Sequence, residues 1–588
     1  MRCFEKILSI LEVTILSVLL MLFLSTLITQ KNSFINFEEF TICCALPFII
    51  LVIICNRFAF KLNTSFFFLI ACIIFAILIT RSGDGENYIR IFNLTICFVF
   101  FLAFTNKHGL DQTIKVSSIA FLVVGILLCC DKIFMSELFY GDSGLNINPG
   151  IQGIFSTVLI PYLVGTIFRL KSKFWSTVNS INIFLFLLVL MNSGSRTAII
   201  SLMLALSIFL FINIYSKNSI VAPKIRGYWK IVVVSLSLII ILFSFVYLYE
   251  KNPTSVVGRL LIYRVSLNII FDHPFMGVGI GNFKKVYNLY QSDYFENKSF
   301  EFIDLLAKDT YYAFNDFLQY AVETGLIIFS LTIVAILFLS KKLILKIKNC
   351  NCQFLNGTVC AILALLVCSQ FSYPLHIISI QVIFIFLISI IISRTLKVVS
   401  ISYQNIAVRT SILIFCLFCS LILLLDRCRT LKAEYYWKKA SLLAVKGYFT
   451  EAQKFYAKCK PELIENPVFL QNYGTEMAIH GDFENALITL KDASSYFSNS
   501  DLAMYTAFCY DFINEKQLAE NQYMLAMYMV PSSFVKKGEL LRFYIAKKEN
   551  AKAIKLAEII TRQPVKIWSN DIGKIQKYAM LVLTKLKN

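Results

Sequence analysis

The residues best suited to chemistry lie between Gly258 and Gly325, where a polar segment interrupts a largely apolar sequence. Arg259 and Arg264 stand near its start, and a guanidinium can hold a phosphate through two parallel hydrogen bonds. The two arginines are five residues apart, about 140° around a helix, so a regular helix would not aim both at one target. A polar segment with arginines and glycines at such a place is where chemistry is expected, although Arg259 and Arg264 would not easily serve one target together.

A third arginine, Arg196, lies in the sequence NSGSRTAIISL, a predicted tight turn between two apolar runs. A charge at membrane depth costs about 2.5–3.5 kcal/mol on insertion scales, so such a residue usually has a partner or a function. Two interpretations stay open from the sequence. Arg196 binds a phosphate, or its long side chain reaches the lipid headgroups without binding a specific ligand.

His273 is a candidate general base, because imidazole can take a proton from a hydroxyl group near neutral pH. It lies in Asp272-His273-Pro274, where the proline ends a predicted amphipathic helix that begins near Arg259. A helix-ending loop histidine is the alternative interpretation. The run GVGIG follows, and its backbone N–H groups could face an anion. No strand–turn–helix pattern surrounds it, so a glycine-rich turn is favoured over a nucleotide site.

A polar stripe opens the next apolar helix. Asn315, Gln319 and Glu323 are spaced at i, i+4 and i+8, which places them on one helical face. Such a stripe entering a membrane should face a cavity or another helix rather than lipid. Hydrogen bonding between helices is the alternative to a role in catalysis.

Composition indicates which elements hold these residues. The 588-residue chain is 57% hydrophobic and only 16% charged, a balance typical of a membrane protein with many spans. Its net charge of +20 could suggest nucleic acid. The Lys and Arg of the apolar region lie instead in short loops between apolar runs, the pattern of membrane topology, so no nucleic-acid partner is expected.

Apolar runs of about 20 residues predict an all-α membrane bundle of about thirteen spans within residues 1–429. Alternate short loops, from Arg57 to Lys397, are basic, which places the N-terminus in the cytoplasm. A large loop at about 250–312 and the C-terminal region would then lie outside. The predicted spans are 7–29, 40–56, 64–80, 90–105, 114–131, 151–168, 175–192, 197–215, 230–249, 313–340, 354–372, 375–393 and 410–426.

Residues 430–588 are predicted to form a soluble α-solenoid of repeats about 34 residues long. Four alanines recur at this period, and prolines close three of four units. In the remaining unit the run Ser498-Asn499-Ser500 replaces the proline. The spacing resembles tetratricopeptide repeats, which usually offer a concave surface for a protein or peptide. A generic helical bundle is the alternative. The repeating residues are Ala452, Ala486, Ala519 and Ala553, and the prolines are Pro467, Pro531 and Pro564.

From Ser193 to about Gly325 the chain resembles the O-antigen ligase and polymerase family. That family has a Ser-Arg at the start of a span, an outer loop with Arg-Leu, an aromatic residue and DHPxxGxG, and then a helix that begins His-Asn-x-x-Leu and continues to Glu-x-Gly. Tyr373-Pro374 is similar to the family's aromatic-Pro near a late span. One departure stands out, since Phe314 occupies the place of the family's His. The matching residues here are Ser195, Arg196, Arg259, Leu260, Tyr263, Asp272, His273, Pro274, Gly277, Gly279, Asn315, Leu318, Glu323 and Gly325.

The resemblance implies transfer of a glycan from a polyprenyl-pyrophosphate carrier to a lipid A-core type lipid or a protein, at the outer face of the cytoplasmic membrane. Arg196 and Arg259, with Arg264 in reserve, would neutralise the pyrophosphate leaving group. His273 would be the base. No cofactor is expected, and no metal, because the outer loops hold no Asp-x-Asp motif. The repeat region would bind a large acceptor or a protein partner.

Several functions share this pattern. Within the family, a ligase, a repeat-unit polymerase of O-antigen or capsule, and a protein O-oligosaccharyltransferase stay open, and the repeats favour a ligase or protein glycosylation. Outside this class, a polysaccharide transporter or flippase predicts inverted halves with matched helix breaks, which the sequence does not display. A cell-wall polymerase of the shape, elongation and division type lacks the DHP and Glu-x-Gly patterns. A pure scaffold would leave Arg196 and the polar stripe unexplained.

Overall fold

The computed structural model describes residues 2–21, 37–55, 60–62, 85–130, 149–170, 172–215, 253–296, 305–350, 352–395, 399–401 and 406–587. These residues are almost entirely helical, as the apolar and amphipathic patterns predicted. The helices before the repeats are α1 Arg2–Leu20, α2 Phe37–Cys55, α3 Gly85–Cys130, α4 Pro149–Arg169, α5 Lys173–Ser193, α6 Arg196–Tyr215, α7 Pro253–Asp272, α8 Phe283–Glu296, α9 Asp316–Cys350, α10 Gln353–Cys368 and α11 Ile378–Thr395. Strands β1 Phe60–Leu62 and β2 Val399–Ile401 form a short antiparallel pair.

The remaining helices run from the end of the apolar region through the repeats. They are α12 Ile406–Val445, α13 Phe449–Leu463, α14 Pro467–Ile479, α15 Phe483–Ser494, α16 Ser500–Phe512, α17 Lys516–Met529, α18 Phe534–Ala546, α19 Asn550–Arg562 and α20 Asn570–Lys587. The predicted division at 429/430 falls inside α12, which is helical from the last predicted span into the first repeat.

Six of the described helices, α3 to α7 and α9, are long and apolar enough to cross a membrane. Predicted spans 64–80 and 230–249 lie outside the described residues, as do residues 22–29 of the first span, and each of the other predicted spans falls for most of its described length on a helix. Spans 90–105 and 114–131 share α3, which is interrupted at Gly109 by a non-helical backbone. The chain is therefore a helical membrane protein, while the count of thirteen stays a prediction. Helix α7 reaches the length of a span although the sequence placed it in the outer loop.

The three largest apolar cores organise the described residues. The first joins α1 to α6 with α10 and α11. Its tightest crossing brings α4 against α10 at Gly165 and Gly357, where a side chain on Gly357 would come within 2.6 Å of a backbone oxygen. The second core joins α7, α8 and the start of α9, and the third fills the repeats. Because the buried face of α7 belongs to the second core, this helix packs with the loop segment rather than with the main bundle.

The repeats keep the predicted period in both packing and backbone. Each of the four repeating alanines is the fourth residue of its helix and is fully buried, which explains why only a small side chain recurs there. The turn before each of these helices contains a residue with left-handed backbone. Gly447 and Gly481 adopt it at little cost, but Asn514 and Lys548 adopt it as well, so the turn geometry is kept where the glycine is lost.

The repeats dock directly on the loop segment through the run Ser498-Asn499-Ser500. Asp309 accepts two hydrogen bonds from Ser500, one from its backbone N–H (2.8 Å) and one from its hydroxyl (2.7 Å). Asn499 donates to the hydroxyl of Tyr311 at 3.0 Å. The run that replaces a proline in the repeat pattern is thus part of the contact with the loop.

Helix α8 makes the other half of this contact. The side chain of Asn288 donates to the carbonyl of Ser498 (2.6 Å) and accepts from the N–H of Thr310 (3.0 Å). Gln291 donates to the carbonyl of Met529 at 2.6 Å. Both side-chain amides are buried, so these bonds satisfy polar groups that water cannot reach. The repeats therefore hold residues 307–311, which lead directly into the polar stripe.

Replacing Asp309 by Ala should release this segment. The change removes both hydrogen bonds to Ser500, a loss of about 1–3 kcal/mol where a partly buried partner is left unsatisfied. Hydrogen–deuterium exchange of residues 305–311 in the detergent-solubilised full chain should become about tenfold faster or more. Equal exchange in both proteins would contradict the docking role.

Asp309→Asn is the matched control, because its amide can still accept from the N–H of Ser500 and donate to the hydroxyl. Burial raises the pKa of Asp309 above 3.8, with the bonds from Ser500 opposing that rise. Because the pKa of Asp309 is higher in the docked state than in the undocked state, its protonation stabilises docking at low pH. This contribution is lost as the pH rises through the pKa of the docked state. The Asn variant should keep slow exchange and lose this pH dependence.

Candidate functional site

Two glycines let the loop after α7 and the kink in α9 meet backbone to backbone. Gly325 has a left-handed backbone, with φ 75°, and a side chain there would come within 2.3 Å of the carbonyl oxygen of Phe275. Gly277 is equally constrained, since its added carbon would lie 2.5 Å from the backbone N of Gly325. The N–H of Leu326 donates to the carbonyl of Pro274 at 2.8 Å. The glycines at positions 277 and 325 therefore allow two backbone segments to cross in direct contact.

The GVGIG run binds the protein's own acidic residue. Gly279 N–H donates to the backbone carbonyl of Glu323 (2.9 Å), and Gly281 N–H donates to the side-chain carboxylate of Glu323 (3.0 Å). Val278 N–H donates to the carbonyl of Val322 at 3.0 Å. These N–H groups are thereby occupied, so the run is the glycine-rich turn that the sequence favoured.

The polar stripe forms one connected network at the start of α9. The side-chain oxygen of Asn315 accepts from the N–H groups of Phe317 and Leu318, both at 3.1 Å, and so caps the helix. Gln319 donates to the carboxylate of Glu323 at 3.0 Å. The structure thus joins Gln319 and Glu323 on one face, as their spacing predicted, and gives Asn315 a capping role.

A histidine that the sequence analysis did not select lies against this network. His376 places Nδ1 3.0 Å from a carboxylate oxygen of Asp316 and Nε2 3.0 Å from the side-chain nitrogen of Gln319. The Asp316 side chain is 4% exposed and the His376 side chain 30% exposed. Predicted span 375–393 had included His376. The structure ends α10 at Cys368 and begins α11 at Ile378, which leaves residues 369–377 as a connecting loop with one 3-10 turn, Pro374–His376, that carries this histidine.

Sequence signals for His376 did exist. The chain has only four histidines, and this one stands two residues after Tyr373-Pro374. Its acidic partner Asp316 is adjacent to Asn315. The pairing spans 60 residues of sequence, however, and no local spacing rule joins positions so far apart.

Aromatic side chains connect His376 to Arg259. Tyr312 stacks on Tyr373 with ring centroids 4.3 Å apart, and its ring lies 5.2 Å from that of His376. Phe314, with left-handed backbone (φ 51°), packs edge-on against Tyr373 at 5.4 Å. The guanidinium of Arg259 lies over the Phe314 ring at 5.9 Å. The cation is therefore held against an aromatic face a few side chains from the imidazole.

Tyr263, one helical turn beyond Arg259, fixes α7 to this loop. Its hydroxyl lies within hydrogen-bonding distance of the carbonyl oxygens of Phe314 (3.2 Å) and Gln370 (3.1 Å). The N–H of Asp316 donates to the carbonyl of Ser369 at 2.8 Å. Helices α7 and α9 are thus both joined to the 369–377 loop.

Arg196 is the first residue of α6, a helix that packs against α10. Helices α6 and α10 run antiparallel, because Ser201 bonds Cys368 at one end and Asn213 bonds Asn356 at the other. Arg196 is five residues before Ser201, about 7.5 Å along the axis, and so lies past the end of α10 at the level of the loop. In the described part of the chain, neither Arg196 nor Arg259 forms a salt bridge.

The structure separates His273 and Arg264 from this group. His273 follows the last residue of α7, while Arg259 is near the first, so about 20 Å of helix lies between them. His273 is exposed and lies 3.4 Å from the hydroxyl of Tyr290. Burial, aided by a hydrogen bond with Asp272, raises the pKa of Tyr290 to about 12. Arg264 lies over the ring of Tyr294 at 5.7 Å, on a different face from Arg259.

Within the part of the chain that the structure describes, no group of three or more His, Cys, Asp or Glu side chains could hold a metal ion. Metal independence stays a prediction.

Part of this site lies in a segment that matches a known family model. Residues 181–333, about a quarter of the chain, match the family model described as O-antigen ligase. We call this matched segment the ligase domain because of that similarity. Tyr263, Gly277, Glu323 and Gly325, which hold the site together, all fall inside this domain, whereas His376 lies beyond it.

Other comparisons add little to the ligase domain. No curated protein matches the chain. Among solved structures, the chain is similar to yeast Tom70 at 11% identity, covering 87% of this chain and 96% of that one, with a TM-score of 0.24. A likeness at that score does not bear on the fold, so the repeat assignment rests on the buried alanines and the turn geometry.

Replacing Gly325 by Ala should destabilise the ligase domain by about 3 kcal/mol, because the new carbon meets a backbone oxygen and the left-handed backbone disfavours a side chain. The melting temperature of the full chain in detergent should fall by several degrees. Gly258→Ala is the control, since its added carbon meets nothing within 4 Å and its helical site favours Ala. Equal melting temperatures for the two variants would contradict the crossing.

Proposed function

We propose that this protein transfers a glycan from a polyprenyl-pyrophosphate carrier to a lipid or protein acceptor at the outer face of the cytoplasmic membrane. What supports it most directly is the placement of two arginines, Arg259 against the Phe314 ring beside the 369–377 loop and Arg196 at the start of α6, the helix that packs antiparallel to α10. They come from separate helices and form no described salt bridge. Two guanidinium groups in such a place suit a ligand with two phosphates.

On the donor side, the main task of the protein is to stabilise the charge of the leaving group. Pyrophosphate departs with the electron pair of the broken sugar–oxygen bond, and the charge that develops on it is what the enzyme must stabilise. Fixed guanidinium groups supply that stabilisation without reorganising during the reaction. The Arg259 guanidinium packs on the Phe314 ring and is therefore in place before the donor binds, and Arg196 adds a second positive charge at the start of α6.

The docking of the repeats supports the proposed topology. Several hydrogen bonds join residues 288–291 and 307–311 to residues 498–532. These bonds require the loop segment and the repeats to be on the same side of the membrane. We assign both to the outer side, with the N-terminus in the cytoplasm, about thirteen spans, and a division near residue 429. In this assignment α7 is a helix of the outer loop, as its packing with α8 favours.

We assign the repeat domain two roles. It holds the segment that leads into Tyr312 and Phe314, and it offers its surface to a large acceptor or a protein partner. Acceptor use would then depend on the docking at Asp309 and Ser500. A ligase or a protein glycosylating enzyme fits this arrangement better than a polymerase, whose acceptor is another carrier-linked glycan.

Arg259→Ala should lower glycan transfer by about 100-fold or more, because one fixed positive charge next to the leaving group is lost. Arg196→Ala should act in the same direction. Arg264→Ala is the matched control, and it should retain most of the activity because Arg264 lies against Tyr294 instead. Transfer is measured by complementation of a deletion strain, with protein levels in the membrane compared.

Full transfer by both Ala variants would remove the donor assignment. The deletion strain also separates the acceptor classes. Accumulated carrier-linked chains indicate a ligase, single repeat units indicate a polymerase, and unglycosylated proteins indicate protein glycosylation.

Labelling of a cysteine placed at Lys308 by an impermeant reagent from outside tests the topology, and protection of that site in intact cells would overturn it.

A further inference from the structure

We propose that His376 is the catalytic base that takes the proton from the acceptor hydroxyl. This inference rests on the glycan transfer proposed above. It assigns the base to a residue outside the matched ligase domain, contributed by the loop between α10 and α11.

The geometry around His376 is that of an oriented imidazole. Asp316 lies at Nδ1 at 3.0 Å and also accepts the N–H of Leu375 at 3.0 Å, so the carboxylate is fixed from two directions. A carboxylate at Nδ1 places the proton on that nitrogen and leaves a lone pair on Nε2. Gln319 donates to Nε2 at 3.0 Å, which occupies the lone pair in the absence of substrate. An acceptor hydroxyl is an equivalent donor and would replace the amide there.

His376 lies near Phe314, the residue that stands where the family pattern has a His. The family pattern has a His directly before the Asn of the helix start, and this chain has Phe314 there. Its ring packs on Tyr373, three residues before His376, and carries Arg259 on its face. The 369–377 loop thus places an imidazole beside the segment that carries Phe314.

In the proposed step, the acceptor oxygen forms a bond to the anomeric carbon of the donor glycan while its proton moves to Nε2 of His376. The bond from that carbon to the pyrophosphate oxygen breaks, and its electron pair leaves with the pyrophosphate. Arg259 and Arg196 stabilise the added negative charge, and Asp316 stabilises the imidazolium that forms.

His273 does not suit this role, because about 20 Å of helix separates it from Arg259 and hence from the proposed donor site. Glu323 does not suit it either. Its carboxylate already accepts from Gly281 and from Gln319, and it is buried. Asp316 acts through His376 and is a positioning residue.

The test uses His376→Gly, with His273→Gly as the matched control. Transfer in membranes of the deletion strain should fall about 100-fold or more for His376→Gly and stay near wild type for the control. Added imidazole should restore part of the lost activity, because the free base can enter the vacated space. No effect of His376→Gly on transfer, or a loss that imidazole does not relieve, would overturn the assignment.

Donor binding separates this inference from the proposed function. Undecaprenyl pyrophosphate without a glycan should raise the melting temperature of detergent-solubilised wild-type protein and of His376→Gly equally, but not that of Arg259→Ala. Failure to bind the wild type would reject the donor proposal itself, and loss of binding in His376→Gly alone would reject the base. Asp316→Asn should lower transfer in the wild type but have no further effect beside His376→Gly, since residues acting as a unit are not additive.

Discussion

The contact between Gly277 and Gly325 is the constraint on which the site depends. Neither position has room for a single added carbon, because each would meet the backbone of the other segment. The close approach aligns the GVGIG turn with the kink of α9, and the N–H groups of Gly279 and Gly281 can then hold Glu323 from two sides. A side chain at either glycine would separate the two segments and release the carboxylate.

Glu323 transmits this constraint to the start of α9. Its carboxylate holds Gln319, and Gln319 in turn contacts His376 and accepts from the backbone of Ala313. A buried polar network of this kind is stable only when each member has a partner, since an unsatisfied buried group costs about 1–3 kcal/mol. The network therefore fixes the loop that carries Tyr312 and the loop that carries His376 relative to one helix.

The repeats contribute to the same constraint from outside the ligase domain. They hold residues 307–311 through Asp309, Tyr311 and Asn288, so the segment entering the site is anchored at both ends. This contact gives the repeat domain a structural part in the site besides any surface it offers to a partner. It also means that binding at the repeats and the geometry near Tyr312 are physically connected.

Sequence by itself determined the parts that depend on local pattern. Hydrophobic periodicity predicted the helices, small residues at a fixed period predicted the repeats, and Pro274 predicted the end of α7, because each is set by the preferences of neighbouring residues. The i, i+4 spacing likewise predicted that Gln319 and Glu323 share one helical face. Only the tertiary structure decided that His376 meets Asp316, that Arg259 packs on Phe314, and that Ser498-Asn499-Ser500 docks on Asp309. These pairings join positions far apart in the chain, and their free energy comes from packing and buried hydrogen bonds that no local spacing encodes.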